Sequence, residues 1–93
     1  MPLDNYAVTV PPNDGVQLVF DAPEDTIIKL NLISGFVWIG KKDMTREDGF
    51  PLFPGSIYYE FRIPKGQAMY VIGPEGTGYE DTILKVLTIP VNA

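Results

Sequence analysis

A chain of 93 residues has room for one domain, and 45% hydrophobic with 20% charged residues gives it a core and excludes intrinsic disorder. Twelve acids against seven bases leave a net charge of −5, which argues against electrostatic attachment to nucleic acid or to an anionic membrane. With no Cys and no His, the chain lacks a disulfide framework, a Cys/His zinc site and a histidine base.

The elements follow from Gly and Pro punctuation, with turn signals recurring at roughly eight- to twelve-residue spacing. Tyr6 to Val10 alternates with period two and stops at Pro11-Pro12. A turn at Pro12-Asn13-Asp14-Gly15 leads into a strand from Val16 to Phe20, stopped by the acidic loop Asp21 to Asp25. Thr26 to Ile33 alternates cleanly, with Ile28, Leu30 and Leu32 on one face and Lys29 and Asn31 on the other. Phe36 to Ile39 is the next strand, after a break at Ser34-Gly35. Met44 to Asp48 has room for one turn of helix with Thr45 as its cap, and Pro51 to Gly55 reads as an ordered corner. Ser56 to Ile63 places Ile57, Tyr59, Phe61 and Ile63 on one face and Tyr58, Glu60 and Arg62 on the other. Ala68 to Ile72, a Gly-rich acidic loop from Pro74 to Asp81, with Gly73 to Gly78 reading as a mobile hairpin loop, and Thr82 to Ile89 complete the chain. The expectation is an all-β, single-domain antiparallel β-sandwich or jelly-roll-like barrel of about seven to eight strands, spanning residues 1–93.

Chemistry is scarce in this inventory. The only serines, Ser34 and Ser56, sit beside glycines in ordinary turns with no base in a recognisable motif, so no enzyme activity is expected. The loop Gly73 to Gly78 lacks the Gly-Lys-Ser/Thr ending of a phosphate loop and opens no helix. The basic residues Lys41, Lys42 and Arg46 are interleaved with Asp43, Glu47 and Asp48, which cancel their field. Acidic loops are ordinarily solvated rims. The expectation is therefore no cofactor and no metal; among the acids, Glu75, Glu80 and Asp81 are the set closest to the oxygen-rich demand of calcium.

The interaction signals are apolar and aromatic. In the last strand Leu84 and Val86 share one face while Ile83, Leu87 and Ile89 share the other, with Lys85 the only charge in the run. A strand apolar on both faces needs two covers, and a domain this small gains stability by self-association. That predicts a homo-oligomer, a trimer by preference, with Ile83, Leu87 and Ile89 as contact residues. The corner residues Pro51, Leu52 and Phe53 are too apolar for a free loop and join this set. Tyr58, opposite the core face and beside Glu60 and Arg62, is read as exposed to solvent or a partner. An aromatic flanked by acids can stack on a sugar ring, so carbohydrate is a possible ligand.

The stretch Val37-Trp38-Ile39-Gly40, Asp43-Met44-Thr45, Gly49-Phe50-Pro51-Leu52 and Pro54-Gly55-Ser56, followed by Met69-Tyr70-Val71-Ile72, resembles a pattern of small tailed-bacteriophage virion proteins. That pattern reads VxIGG-x-DVT, then G-x-PL-x-PGE, then an LYxI strand. The resemblance covers the central third to half of the chain, and departs from the pattern at Lys41 and Ser56. It implies a virion structural protein, synthesised in the host bacterial cytoplasm, that binds the major capsid protein as an oligomeric decoration or cement protein. A fibre or tail module binding host carbohydrate is the alternative it also implies. A β-sandwich binding domain unrelated to phage is the third reading. None brings a catalytic residue, a nucleic-acid partner or a membrane partner.

Overall fold

Period-two alternation cut by Gly and Pro yields eight strands and, among the described residues, no helix. The computed structural model describes residues 2–55 and 58–91. The strands are β1 (Asp4–Val10), β2 (Gln17–Asp21), β3 (Thr26–Leu32), β4 (Val37–Gly40), β5 (Phe50–Leu52), β6 (Tyr59–Ile63), β7 (Ala68–Ile72) and β8 (Thr82–Pro90). They form two four-stranded sheets, ordered β1-β8-β3-β6 and β2-β7-β4-β5. All pairing is antiparallel. The pairs β1·β8, β2·β7, β3·β6 and β4·β5 nest inside one another along the chain. The molecule is thus one long ribbon doubled over on itself, and the pairs β3·β8 and β4·β7 close it into a sandwich.

Alternation decides which side chains meet between the sheets. Ile28, Leu30 and Leu32 of β3, Leu84 and Val86 of β8, and Val37 and Ile39 of β4 are buried and form the core with Val71, Leu52 and Val10. A β-bulge between Leu18 and Phe20 lets β2 turn both Val19 and Phe20 to the core. The two open sides of the sandwich are sealed differently. On the β1/β2 side, the Tyr6 hydroxyl crosses between sheets and donates to the Val19 carbonyl at 2.7 Å. Burial of that ring, with Asp4 nearby, raises the Tyr6 pKa above its ordinary value. On the β5/β6 side, Phe50 and Phe61 meet edge to face at 5.9 Å.

Two sequence expectations change here. Leu52, read as a contact residue of an apolar corner, is fully buried; β5 continues the alternation, so Leu52 points inward while Pro51 and Phe53 stay exposed. Pro51 removes one backbone donor, which a strand tolerates at a sheet edge, where β5 lies. The strand expected from Ser56 begins at Tyr59 among the described residues; Ser56 and Ile57 lie outside them.

Candidate functional site

Met44 to Asp48, which has room for one turn of helix with Thr45 as its cap, is a turn rather than a helix, and it closes with a capping-box pair. The Asp48 amide donates to Thr45 Oγ1 at 3.4 Å, the Thr45 amide donates to Asp48 Oδ1 at 2.7 Å, and the Gly49 amide closes the turn on the Thr45 carbonyl. The Thr45 N–H holds the Asp48 carboxyl below its ordinary pKa. This loop lies back over the outer face of the second sheet. It can lie close because Gly49 has no side chain: a Cβ there would come 2.7 Å from Trp38 Cβ. Met44 Sδ likewise occupies the space where a Cβ on Gly40 would sit, and Met44 is buried. Val37 to Gly40, Met44, Gly49 and Phe50 to Leu52 therefore build β4, β5 and the loop between them.

Arg46, at the start of that turn, reaches across to two other loops. Its Nε donates to the Gly73 carbonyl at 2.7 Å, Nη2 to the Asp14 carbonyl at 3.2 Å, and Nη1 to Glu75 Oε2 at 3.3 Å. Asn13 locks the same loops from the other side. Its Nδ2 donates to the Gly76 carbonyl, its Oδ1 accepts the Gly76 amide, and its own amide donates to the Pro74 carbonyl. Asn13 takes a left-handed φ of 62°, which Asn tolerates better than most residues. The acidic loop after β7 was expected to be mobile; it is instead tied to two other loops. Its acids are divided: Glu75 pairs with Arg46, whereas Glu80 and Asp81 line a separate hollow beside Ser34 and Gly35. Among the described residues no three acids are grouped as metal ligands, so Glu75, Glu80 and Asp81 are not brought together.

The two outer faces of the sandwich differ in chemistry. On the second sheet, cross-strand register sets Leu18 beside Tyr70 and Tyr70 beside Gly40, then Ile72 beside Trp38 and Trp38 beside Pro51. None of these side chains is charged; beyond the bulge the same face sets Asp21 beside Ala68. Phe36 extends the patch, meeting Trp38 edge to face at 5.4 Å and Tyr79 at 5.7 Å. Leu18 and Tyr79 are 49% and 43% exposed, and Phe53 near β5 is 58% exposed. Sequence reasoning missed Leu18 and Tyr79 because each lies in a segment that reads as ordinary strand or loop.

The first sheet carries the residues expected to meet a second subunit. Ile83, Leu87 and Ile89 do face outward, but β8 is a central strand and its neighbours half-bury them. Polar residues interleave with them: register sets Ala7, Lys85 and Asn31 in one row, and Asn5, Leu87, Lys29 and Glu60 in the next. The continuous apolar seam expected from β8 alone is therefore broken by its neighbours. Tyr58 stands at the rim, 53% exposed, with Lys29 Nζ 4.6 Å from its ring centroid. The acid expected beside it, Glu60, is engaged with Lys29 at 3.6 Å. An open groove of about 650 Å³ runs across this face.

Comparison with known proteins gives no match: no family model, no curated protein and no solved structure matches the chain.

Proposed function

We propose that this chain is a virion structural protein of a tailed bacteriophage, a cement protein that binds the assembled shell as a homo-oligomer. Three features support the reading. The pattern shared with phage virion proteins maps onto one structural unit, β4, the capping-box loop, β5 and β7, rather than onto scattered turns. The nested pairing of β1 with β8 through β4 with β5 supports a jelly-roll reading of the sandwich, an architecture that viral capsid domains use. Fold alone does not carry function, so the weight rests on the third feature.

The observation that carries the proposal is the apolar patch on the outer face of the second sheet, built from Leu18, Trp38, Pro51 and Tyr70 and flanked by Phe36 and Tyr79. In an acidic chain this patch offers shape and apolar area, the composition of an interface centre, with Asp21 and the charged loop after β4 at its margin. Repetition over a symmetric shell multiplies each weak contact into avidity. Because the ligand binds the assembled state alone, it stabilises that state by mass action.

Purified protein added to undecorated capsids should co-sediment with them and raise their disruption temperature. Binding should persist from low to moderate salt, since apolar contact is not screened. Leu18→Lys places a charge in the patch at an exposed edge-strand position and should weaken binding by about tenfold or more. Absence of binding to shells at either salt, or full binding by Leu18→Lys, refutes the proposal.

A further inference from the structure

We infer that the groove on the outer face of the first sheet is a binding site for an acidic saccharide, on the opposite side of the sandwich from the apolar patch. The groove of about 650 Å³ has the size of a small-ligand site. Its lining includes Asn5, Lys29, Asn31, Tyr58, Lys85 and Leu87, and no carboxylate. In a chain with twelve acids and a net charge of −5, a wall with two lysines, of which Lys29 is paired with Glu60 at its rim, is a locally positive surface centred on Lys85.

The register brings the two lysines together. Lys29 pairs with Leu87 across β3 and β8, and Lys85 stands two residues from Leu87 on the same face. That makes Lys29 and Lys85 diagonal neighbours on adjacent strands, about 7–8 Å apart at the backbone. Long ammonium side chains from such positions reach a single carboxylate. Lys29 is already positioned, with Nζ over the Tyr58 ring and 3.6 Å from Glu60. Lys85 is exposed and has no ion-pair partner among the described residues.

The remaining lining fits a sugar ring better than a peptide. Tyr58 and Leu87 offer apolar surface at the side and floor of the groove. Asn5 presents a donor and an acceptor, the pairing that vicinal hydroxyls require, and Asn31, whose Nδ2 donates one hydrogen to the Gly55 carbonyl at 3.4 Å, adds its Oδ1 acceptor. An acidic peptide would instead seek a free strand edge for its backbone, and this groove lies across the middle of a sheet, over β8 and β3. The acidic group lies between the lysines and the ring against Tyr58 and Leu87.

The test is a titration followed by amide chemical shifts, with trigalacturonate and 3′-sialyllactose as acidic probes. Maltotriose and lactose are the neutral counterparts, and hexaglutamate supplies charge without rings. The expected result is that an acidic saccharide binds at millimolar concentration or below and shifts residues 5, 7, 29, 31, 58, 85 and 87. Lys85→Ala and Tyr58→Ala should each weaken it by about tenfold, and Lys85→Arg should restore most of it. Both positions are exposed, so the fold tolerates the changes. The inference is overturned if no acidic saccharide binds, if neutral sugars bind equally well, or if Tyr58→Ala has no effect. Equal binding by hexaglutamate also overturns it, assigning the lysines to an acidic peptide. Capsid binding is measured separately with Leu18→Lys, so the two readings fail independently.

Discussion

Replacing Arg46 by Ala should destabilise the fold more than any other single change outside the core, because one guanidinium ties three loops. It donates at 2.7 Å to the carbonyl of buried Gly73, at 3.2 Å to the Asp14 carbonyl and at 3.3 Å to Glu75. The Arg46 side chain is 24% exposed, while Glu75 is 73% exposed. A hydrogen bond to a charged group contributes about 1.5–3 kcal/mol, and an exposed ion pair about 0–1 kcal/mol. The backbone contacts therefore dominate, and Arg46→Ala should cost about 2–3 kcal/mol. For a domain of this size that is a fall in Tm of roughly 8–24 °C. Two further variants separate geometry from charge. Arg46→Lys keeps the charge but not the planar fork, so it should lose most of the same stability. Glu75→Gln removes the ion pair alone and should cost less than about 1 kcal/mol. Thermal melts of the four proteins decide the matter. A Lys variant as stable as the parent, or a Glu75→Gln loss equal to that of Arg46→Ala, would refute the reasoning.

Leu52→Ala should cost about 2–5 kcal/mol, the range for a buried leucine, whereas Phe53→Ala should stay within about 1 kcal/mol in chemical denaturation; the reverse order would sink the inward assignment of Leu52. Acid should destabilise the fold through Asp25 and Asp48, whose pKa values lie below the ordinary 3.8. The causes are the Lys65 amide, with Arg62 nearby, for Asp25, and the Thr45 amide for Asp48; some loss of solvation opposes both shifts. Lowered folded-state values mean that the unfolded chain binds more protons. Their stabilisation is fully present above the unfolded pKa and is lost as pH falls through the folded values. Urea titrations at several pH values should show a plateau above about pH 5 and a decline below it, and Asp48→Asn should flatten that decline. An Asp48→Asn protein with an unchanged acid slope would remove Asp48 from this account.

Alternation carried most of the fold. Ile28, Leu30 and Leu32 against Lys29 and Asn31 gave β3 its inner and outer faces, and Thr45 as a cap marked the turn, although no helix forms there. β5 escaped because three residues, one of them proline, are too short to display a period, so an edge strand read as a corner and Leu52 as surface. The anchored loop after β7 escaped for a different reason. Asn13 and Gly76 are 63 residues apart, and Arg46 bonds Gly73 across 27, so nothing local in the acidic segment signals its restraint. The outer face of β8 shows the same limit. Ile83, Leu87 and Ile89 read as an apolar seam until β1 and β3 set Ala7, Asn5, Lys29 and Asn31 beside them. A face belongs to a sheet, and a single strand's pattern does not give the composition of its neighbours.

That distinction also decides how one small sandwich can carry two interactions. Among the described residues no helix covers either sheet, only the loop after β4 lies over part of the second, and the chain measures 16 Å along its shortest axis. Any partner of one face is therefore on the opposite side from any partner of the other. The second sheet faces out through aromatic and aliphatic side chains, with its loop held down by Gly49, Met44 and Arg46. The first sheet faces out through lysines and amides around Leu87 and Tyr58. Apolar contact resists salt, whereas recognition of an acidic group by exposed lysines is screened by it. Ionic strength thus separates the two faces: attachment to a shell through the second sheet should persist where saccharide binding on the first has fallen away. A mutation on one face should leave the other unaffected, because buried side chains of both sheets, and no shared surface residue, lie between them.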